Sequence, residues 1–170
     1  MNTYSVNFDI IYRRTIKLLE VIRVKFIHTA DWHIGRKLQG VDLLLDQKFV
    51  LENLIADIKK DNIDFIIIAG DLYDRSVPSK EATILLQELL VEINIENNIP
   101  IFAISGNHDS RERLAVGEAW FSKHNFYLHT ELKQAFKKIE FKDADIYLLP
   151  YFEPYEARAY FDDDSLTTHN

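Results

Sequence analysis

Three short polar segments of this chain carry the residue types that can hold metal ions. They are Asp31-Trp32-His33, Gly70-Asp71-Leu72-Tyr73-Asp74 and Gly106-Asn107-His108-Asp109. Carboxylate, imidazole and amide groups suit hard or borderline divalent ions such as Mn²⁺, Fe²⁺ and Mg²⁺. The sequence contains no cysteine, so thiolate ligands and disulfide bonds are excluded. The composition of the three segments therefore predicts a site for divalent metal ions.

The spacing of these residues suggests how several of them could bind. Asp31 and His33 are two positions apart, so on an extended backbone both side chains point the same way and can bind one ion. Asp71 can bridge two ions with its two carboxylate oxygens, and Asn107 can offer a neutral amide oxygen. The glycines that precede Asp71 and Asn107 permit the tight turns that a close approach to an ion requires.

Each polar segment directly follows a stretch with the pattern of a buried β-strand. The predicted strands cover residues 24–29, 64–69 and 100–104, and the predicted helices cover residues 43–60, 80–94 and 113–122. Ser79 is the predicted N-cap of the second helix. Alternating strands and helices predict an α/β fold with a central parallel sheet flanked by helices. Ligands bind at the carboxyl ends of the strands in such a sheet, so the three polar segments should converge on one spot.

The pattern changes after residue 127. Two shorter alternating segments, 135–141 and 145–149, predict an antiparallel pair, and a short helix is predicted over 155–160. His124 and His129 flank a short strand and are expected to face solvent or to cap a turn. Core positions are expected for the aromatic residues Trp32, Phe49, Phe65, Phe102 and Trp120.

The main domain is predicted to cover residues 24–161, with a motif-free extension at 1–23 and a polar tail at 162–170. The extension is either an additional helix or a segment translated from upstream of the usual initiation point. Apolar residues make up 47% and charged residues 28%, which indicates a packed globular core. No run of about 18 apolar residues and no secretory signal are present, so we expect a cytoplasmic protein without a membrane partner.

The net charge of −7 excludes a basic field over the whole chain. Phosphate binding would therefore require a local basic patch or metal ions. Basic residues follow the three polar segments closely and would rim the same face of the sheet: Arg36, Lys37, Arg75, Lys80, Arg111 and Arg113. These side chains either contact phosphate groups or are ordinary solvated charges.

The three polar segments resemble the opening motifs of the calcineurin-like metallophosphoesterase superfamily. The surrounding residues resemble the D subunits of bacterial SbcCD nucleases, over about residues 24–151. This closer resemblance rests on residues 28–36 (HTADWHIGR), residues 69–75 (AGDLYDR) and the pair Pro78-Ser79. It implies a metal-dependent DNA nuclease, with exonuclease and endonuclease activity, in DNA repair, recombination and replication. DNA and an SbcC-type ATPase subunit are the implied partners, and the full-length protein is expected to form a homodimer.

The same resemblance implies a role for each motif residue. Asp31, His33, Asp71 and Asn107 would be ligands of two divalent ions, Mn²⁺ in the first place and Mg²⁺ or Fe²⁺ as alternatives, with Asp71 bridging. His108 would lie beside the scissile phosphate and stabilise or protonate it. Asp109 would orient His108 from behind.

The chain departs from the family pattern in its later histidines. The family completes its site with histidines that end in a Gly-His-x-His motif, and none of the six histidines here belongs to such a motif. We therefore expect a truncated protein that also lacks the family's capping region and the segment that binds the ATPase. Two alternatives stay open: an inactive remnant or interaction module, and another phosphodiesterase or phosphatase of the superfamily with a smaller substrate.

Overall fold

The computed structural model describes residues 24–142 and 144–169, so the predicted extension at 1–23 lies outside the described residues. In chain order the strands are β1 (Phe26–Thr29), β2 (Lys37–Leu38), β3 (Val41–Asp42), β4 (Phe65–Ala69), β5 (Ile101–Ile104), β6 (Phe126–His129), β7 (Ile139–Phe141) and β8 (Ala144–Ile146). The helices are α1 (Leu44–Lys60), α2 (Lys80–Val91), α3 (Arg111–Leu114), α4 (Glu118–Phe121) and α5 (Pro154–Phe161). A π-helical turn over Glu92–Glu96 extends α2.

The central sheet has four strands in the order β1-β4-β5-β6, and all neighbouring pairs are parallel. The continuous apolar run of β4 occupies the interior of this sheet, where Phe65, Ile66 and Ile68 are buried. Parallel strands buried on both faces need apolar side chains at every position, which is the pattern of β4. The predicted α/β class with a central parallel sheet is confirmed.

Helices α1 and α2 cover one face of the sheet. The side chains that α1 buries are Leu51, Leu54, Ile55 and Ile58, and those that α2 buries are Ala82, Leu85, Leu86 and Leu89. They pack in one cluster with strand residues such as Ile66 and Ile101. Ser79 caps α2 as predicted, because its side chain accepts a hydrogen bond from the backbone N–H of Ala82 at 3.1 Å.

The opposite face of the sheet carries an aromatic cluster. The Phe65 and Phe102 rings meet edge to face with centroids 5.1 Å apart, and Ile139 and Leu148 pack against them. The antiparallel pair β7–β8 supplies part of this cover, as the alternating pattern predicts. Its strands are shorter than the predicted segments, because Leu132–Phe136 forms a 3₁₀-helix and β8 ends at Ile146.

Three expectations about local structure are wrong. Gly117 has a left-handed φ of +95°, which separates the predicted third helix into α3 and α4. Phe49 is 67% exposed because it lies on the side of α1 away from Leu51 and the other buried positions. Trp120 is 74% exposed, while its neighbour Phe121 stacks on Phe126 and anchors α4.

The small hairpin β2–β3 was not predicted, although its turn residues give a signal. Gln39 and Gly40 both have positive φ, +49° and +85°, as a tight two-residue hairpin turn requires. None of the helices among the described residues combines the length and the apolar character that crossing a membrane requires.

Candidate metal site

The loops that follow β1 and β4 run side by side beyond the ends of these strands. The backbone N–H of Asp31 donates to the Gly70 carbonyl at 3.2 Å, and that of His33 donates to the Asp71 carbonyl at 2.8 Å. These bonds continue the parallel pairing past the carboxyl edge of the sheet. The first two polar segments therefore meet where the strand order predicts.

Three residues of these loops adopt left-handed backbone conformations. The φ angles are +55° at Asp31, +43° at His33 and +47° at Asp71. Asp31 and His33 therefore do not lie on the extended backbone that would point both side chains the same way. A left-handed φ costs a residue with a side chain roughly 1–2 kcal/mol, and these three residues lie in two neighbouring loops.

The strained backbone brings three potential ligands together. His33 Nε2 lies 3.8 Å from an Asp31 carboxylate oxygen and 3.7 Å from an Asp71 carboxylate oxygen. One ligand atom from each residue lies within 4.8 Å of the other two, which is close enough for one metal ion to bind all three. Asp71 is buried, whereas the Asp31 side chain is 66% exposed and open to solvent.

The second ring nitrogen of His33 supports this assignment. Nδ1 is buried, has no hydrogen-bond partner within the described residues, and faces an Asp74 carboxylate oxygen at 3.8 Å. A metal-binding histidine usually directs its free N–H to a carboxylate, which leaves the other nitrogen for the ion. The residues present therefore fit a metal ion on the Nε2 side of His33.

Asp74 was not selected from the sequence as a site residue, although its place in Gly70-Asp71-x-x-Asp74 was a signal. One carboxylate oxygen of Asp74, one ring nitrogen of His33 and one ring nitrogen of His108 form a second group. These three atoms lie within 4.8 Å of one another. The His33 and His108 rings meet edge to face with centroids 4.8 Å apart. The third polar segment thus joins the same cluster.

The His108 ring is held by the backbone of Asp74. Its Nδ1 lies 2.9 Å from the Asp74 carbonyl oxygen. This carbonyl is the main cause that raises the pKa of His108, with smaller contributions from the carboxylates of Asp71, Asp74 and Asp109. Both effects favour a protonated, cationic ring, which is exposed to solvent.

Asp109, which was expected to orient His108, contacts the backbone of the two loops. Its buried carboxylate accepts hydrogen bonds from the backbone N–H groups of Gly106 at 3.0 Å, Leu72 at 3.2 Å and Tyr73 at 3.0 Å. Asp109 therefore ties the β4 and β5 loops together, while the ring of His108 contacts Asp74. Burial raises the pKa of Asp109, and the three N–H groups act in the opposite direction.

Gly106 is the position with least room in the site. A Cβ atom there would lie 2.0 Å from Asp71 Oδ1 and 2.4 Å from the Asp71 backbone nitrogen. The same Oδ1 accepts the backbone N–H of His108 at 2.9 Å. The glycine is therefore required by the close approach of the Asp71 carboxylate to the β5 loop.

Comparison with known families agrees with this geometry. A model of the calcineurin-like phosphoesterase family matches residues 24–170. The chain belongs to this family. Membership implies a hydrolase of phosphate esters that depends on metal ions, and the two groups of Asp and His side chains are where this calcineurin-like phosphoesterase could bind them.

Other residues predicted for the site lie around this cluster. Asn107 is exposed in the β5 loop between Gly106 and His108. Among the predicted basic rim residues, the exposed ones are Arg36, Lys37, Arg75, Lys80 and Arg113. Arg111 is half-buried and forms an ion pair with Glu156, so its charge is already matched.

Gln47 of α1 holds the first loop of the candidate metal site. This residue was not identified from the sequence. Its Nε2 donates to the carbonyls of Trp32 at 3.0 Å and His33 at 2.7 Å, and its Oε1 accepts the N–H of Gly35 at 3.0 Å. Trp32 is buried as expected, with its Nε1 donating to Thr29 Oγ1 at 3.0 Å. The first loop is thereby fixed to the helix-covered core.

The remaining histidines of the described residues lie outside these two groups. His28 is exposed on β1, and His124 is exposed as expected. The expectation for His129 is wrong, because this side chain is buried and its Nδ1 lies 3.1 Å from the Leu148 carbonyl oxygen. Burial lowers the pKa of His129, so a neutral ring is favoured.

Proposed function

We propose that this phosphoesterase hydrolyses phosphodiesters of DNA, as the nuclease domain of an SbcD-type protein. The observation that carries the proposal is the shared position of His33, which lies between the carboxylates of Asp31 and Asp71 on one side and His108 on the other. The proposed metal ligands and a ring that favours the cationic form therefore lie side by side. The SbcD-like residues 28–36 and 69–75 contain Asp31, His33, Asp71 and Asp74, and this resemblance supports the choice of DNA.

Four side chains would hold the metal ions: Asp31, His33, Asp71 and Asn107. We propose that these side chains would hold two divalent ions, with Asp71 shared by both. Oxygen and imidazole nitrogen donors suit Mn²⁺, Mg²⁺ and Fe²⁺, and the resemblance to SbcD-type nucleases puts Mn²⁺ first. Bound there, the ions would lower the pKa of a water molecule and neutralise the charge that develops on the phosphate.

His108 would act on the phosphate directly. Its exposed ring and raised pKa suit a cation that stabilises the negative phosphoryl oxygens or gives a proton to the leaving oxygen. Asp74 would position both histidines: its backbone carbonyl would hold the ring of His108, and its side-chain carboxylate would hold the ring of His33. Asp109 would keep both loops in place through its three backbone hydrogen bonds.

Two measurements test the proposal. Titration with Mn²⁺ by calorimetry should reveal two binding sites in the wild-type protein. A labelled DNA duplex should then be cut by the wild-type protein and not by His108→Ala, which leaves the predicted ligands intact. Equal cutting by the two proteins would refute the role of His108, and absence of Mn²⁺ binding would refute the nuclease proposal for this chain.

The second candidate function is an interaction module, in which the domain would bind one ion weakly or none. The calorimetric titration separates the two candidates by the number of sites. Hydrolysis of p-nitrophenyl phosphate without cutting of DNA would instead indicate a phosphatase with a small substrate.

The partners are also proposals. An SbcC-type ATPase would bind the full-length protein, which we propose is a cytoplasmic homodimer. An apolar groove of 480 Å³ beside α2 offers a surface for a second copy of the chain, because the exposed residues Val91, Ile95 and Val116 line it. Sedimentation of the wild type and Val116→Glu tests this: a monomeric wild type excludes the dimer for this chain.

A further inference from the structure

A cleft of 240 Å³ lies beside the candidate metal site, on the side of β1 and β4. We name it the Lys37–Arg75 cleft; its polar lining consists of Lys37, Asp74, Arg75 and Ser79, together with Gly35. Asp74 belongs both to this cleft and to the group with His33 and His108. The cleft and the proposed reaction centre therefore share Asp74.

The two walls of the cleft are fixed to each other by the backbone. Ile34 N–H donates to the Leu72 carbonyl at 3.0 Å, and Asp74 N–H donates to the Ile34 carbonyl at 3.2 Å. Ile34 is only 1% exposed, so it also anchors this pairing in the core. The segments that carry Lys37 and Arg75 thus extend from one rigid base.

Within the described part of the chain, long ion pairs alone hold the two cations of the cleft. Lys37 Nζ lies 3.6 Å from an Asp42 oxygen, and Arg75 Nε lies 3.7 Å from an Asp74 oxygen, both beyond a normal hydrogen bond. Their side chains are 57% and 74% exposed. Such surface pairs contribute about 0–1 kcal/mol, so an anion can replace the carboxylates at little cost.

The opposite flank of the site has the reverse charge balance. A wider cleft of 480 Å³ there is lined by the carboxylates of Glu112, Glu131 and Glu156 against the cations of Arg111 and Lys133. Arg111 contacts Glu156, and Lys133 contacts Glu131. A phosphate on this flank would meet three carboxylates against two cations, whereas the lining of the Lys37–Arg75 cleft has one carboxylate against two cations.

We propose that the Lys37–Arg75 cleft binds the phosphodiester next to the scissile one. A guanidinium and an ammonium that converge on one cleft match the paired oxygens of a phosphodiester. The nucleic-acid strand then leaves the metal site over Asp74 towards the β2–β3 hairpin, and away from Glu156. This inference rests on the proposed function, and it defines the substrate as a chain with at least two phosphates.

The test compares the wild type with the double variant Lys37→Ala/Arg75→Ala. The matched control is Lys59→Ala/Lys133→Ala, which removes the same charge from exposed side chains outside the cleft. Binding of a fluorescein-labelled single-stranded oligonucleotide is measured by anisotropy, in EDTA and over a series of salt concentrations. We expect the cleft variant to lose about tenfold in affinity and about 0.7 in the salt slope, as for one lost phosphate contact. The control should keep both values.

A second assay separates this inference from the proposed function. Bis(p-nitrophenyl) phosphate has a single phosphodiester, so the cleft variant should hydrolyse it with the wild-type KM while its kcat/KM on an oligonucleotide falls about tenfold. Wild-type oligonucleotide affinity in the cleft variant would overturn the cleft and leave the proposed function standing. If the wild type hydrolyses neither substrate, the proposed function fails, and the anisotropy measurement alone decides the cleft.

Discussion

His33 and His129 both lie at the carboxyl ends of parallel strands, but their surroundings differ. His33 follows β1 with a φ of +43°, and its buried Nδ1 has no hydrogen-bond partner among the described residues. His129 ends β6 in regular pairing with Ile104, and its ring is bonded to the Leu148 carbonyl. Buried polar atoms are usually hydrogen-bonded, so the unsatisfied Nδ1 of His33 sets this residue apart, and His33 is the histidine that we propose as a metal ligand through Nε2.

The contrast extends to the neighbouring residues. After β6, the N–H groups of Thr130 and Glu131 both donate to Gln134 Oε1 at 2.8 Å, and Gln134 Nε2 donates to Glu118 at 2.7 Å. Every polar group in this small network meets another protein group. The carboxyl edge of the sheet therefore has two parts. In the open part, at β1, β4 and β5, polar side chains are left for a ligand; in the closed part, at β6, they bond to other protein groups.

Gly106→Ala should have the largest effect and should act on the open part. The new Cβ would overlap Asp71 Oδ1, so the loops must separate. We expect a loss of at least about 3 kcal/mol in the free energy of unfolding, because the contact cannot relax without moving the backbone. Mn²⁺ affinity should fall about a hundredfold or more, measured by calorimetry below the melting temperature. Gly40→Ala is the control for the clash: no atom lies within 4 Å of its Cβ position, so it adds only the strain of a left-handed φ in the β2–β3 turn and should keep the wild-type Mn²⁺ affinity.

Asp109→Ala should follow, because it removes the acceptor that joins the β4 and β5 loops. Three backbone N–H groups would lose their partner, and we expect a destabilisation of about 3 kcal/mol in urea unfolding. Asp109→Asn keeps one carbonyl oxygen and should recover part of this loss. If Asp109→Ala were as stable as the wild type, the role of Asp109 as a tie between loops would be wrong.

A pair of histidine variants tests the comparison itself. His33→Ala should abolish measurable Mn²⁺ binding with a change in unfolding free energy below about 1 kcal/mol, because an unsatisfied buried nitrogen is removed. His129→Ala should lower the unfolding free energy by about 1–3 kcal/mol, because it opens a cavity and leaves the Leu148 carbonyl unpaired. The Mn²⁺ affinity of His129→Ala should stay within about threefold of wild type. If His129→Ala lost Mn²⁺ binding and His33→Ala lost stability, our interpretation of the two histidines would be wrong.

Apolar periodicity made the framework of the molecule predictable. The run Ile66-Ile67-Ile68 has few alternatives to a buried strand, and the polar residues that follow it must then lie at the sheet edge. The convergence of the three polar segments follows because each of them comes directly after a strand of one parallel sheet. For the same reason the central sheet and the cluster of Asp31, His33 and Asp71 could be foreseen without the structure.

Backbone conformation and partners distant in the chain could not be foreseen. The left-handed φ angles at Asp31 and His33 are rare for residues with side chains, so an extended segment was the reasonable expectation. Gln47 supports a loop that lies 14 positions earlier, and His129 bonds to a carbonyl 19 positions later. Neither contact leaves a periodic signal, because hydrogen-bond partners depend on how separate elements pack.

The smallest predicted effect is a dependence of stability on pH that belongs to the closed part. Burial lowers the pKa of His129 in the folded protein, while in the unfolded chain it stays near the ordinary value of about 6.5. The contact with Leu148 and the charge of Glu118 act against this shift, and Lys137 adds to it. As pH falls below about 6.5, the unfolded chain binds a proton that the folded protein resists, so the unfolding free energy declines.

The slope that one histidine can cause is at most about 1.4 kcal/mol for each pH unit. Urea unfolding of the wild type and His129→Gln between pH 7.5 and 5.5 isolates this share, because carboxylate contributions are common to both proteins and cancel in the difference. The wild type should lose more stability over this range than the variant. Parallel curves would show that the histidine at the end of β6 is not held neutral, and the contrast with His33 would then rest on hydrogen bonding and backbone strain alone.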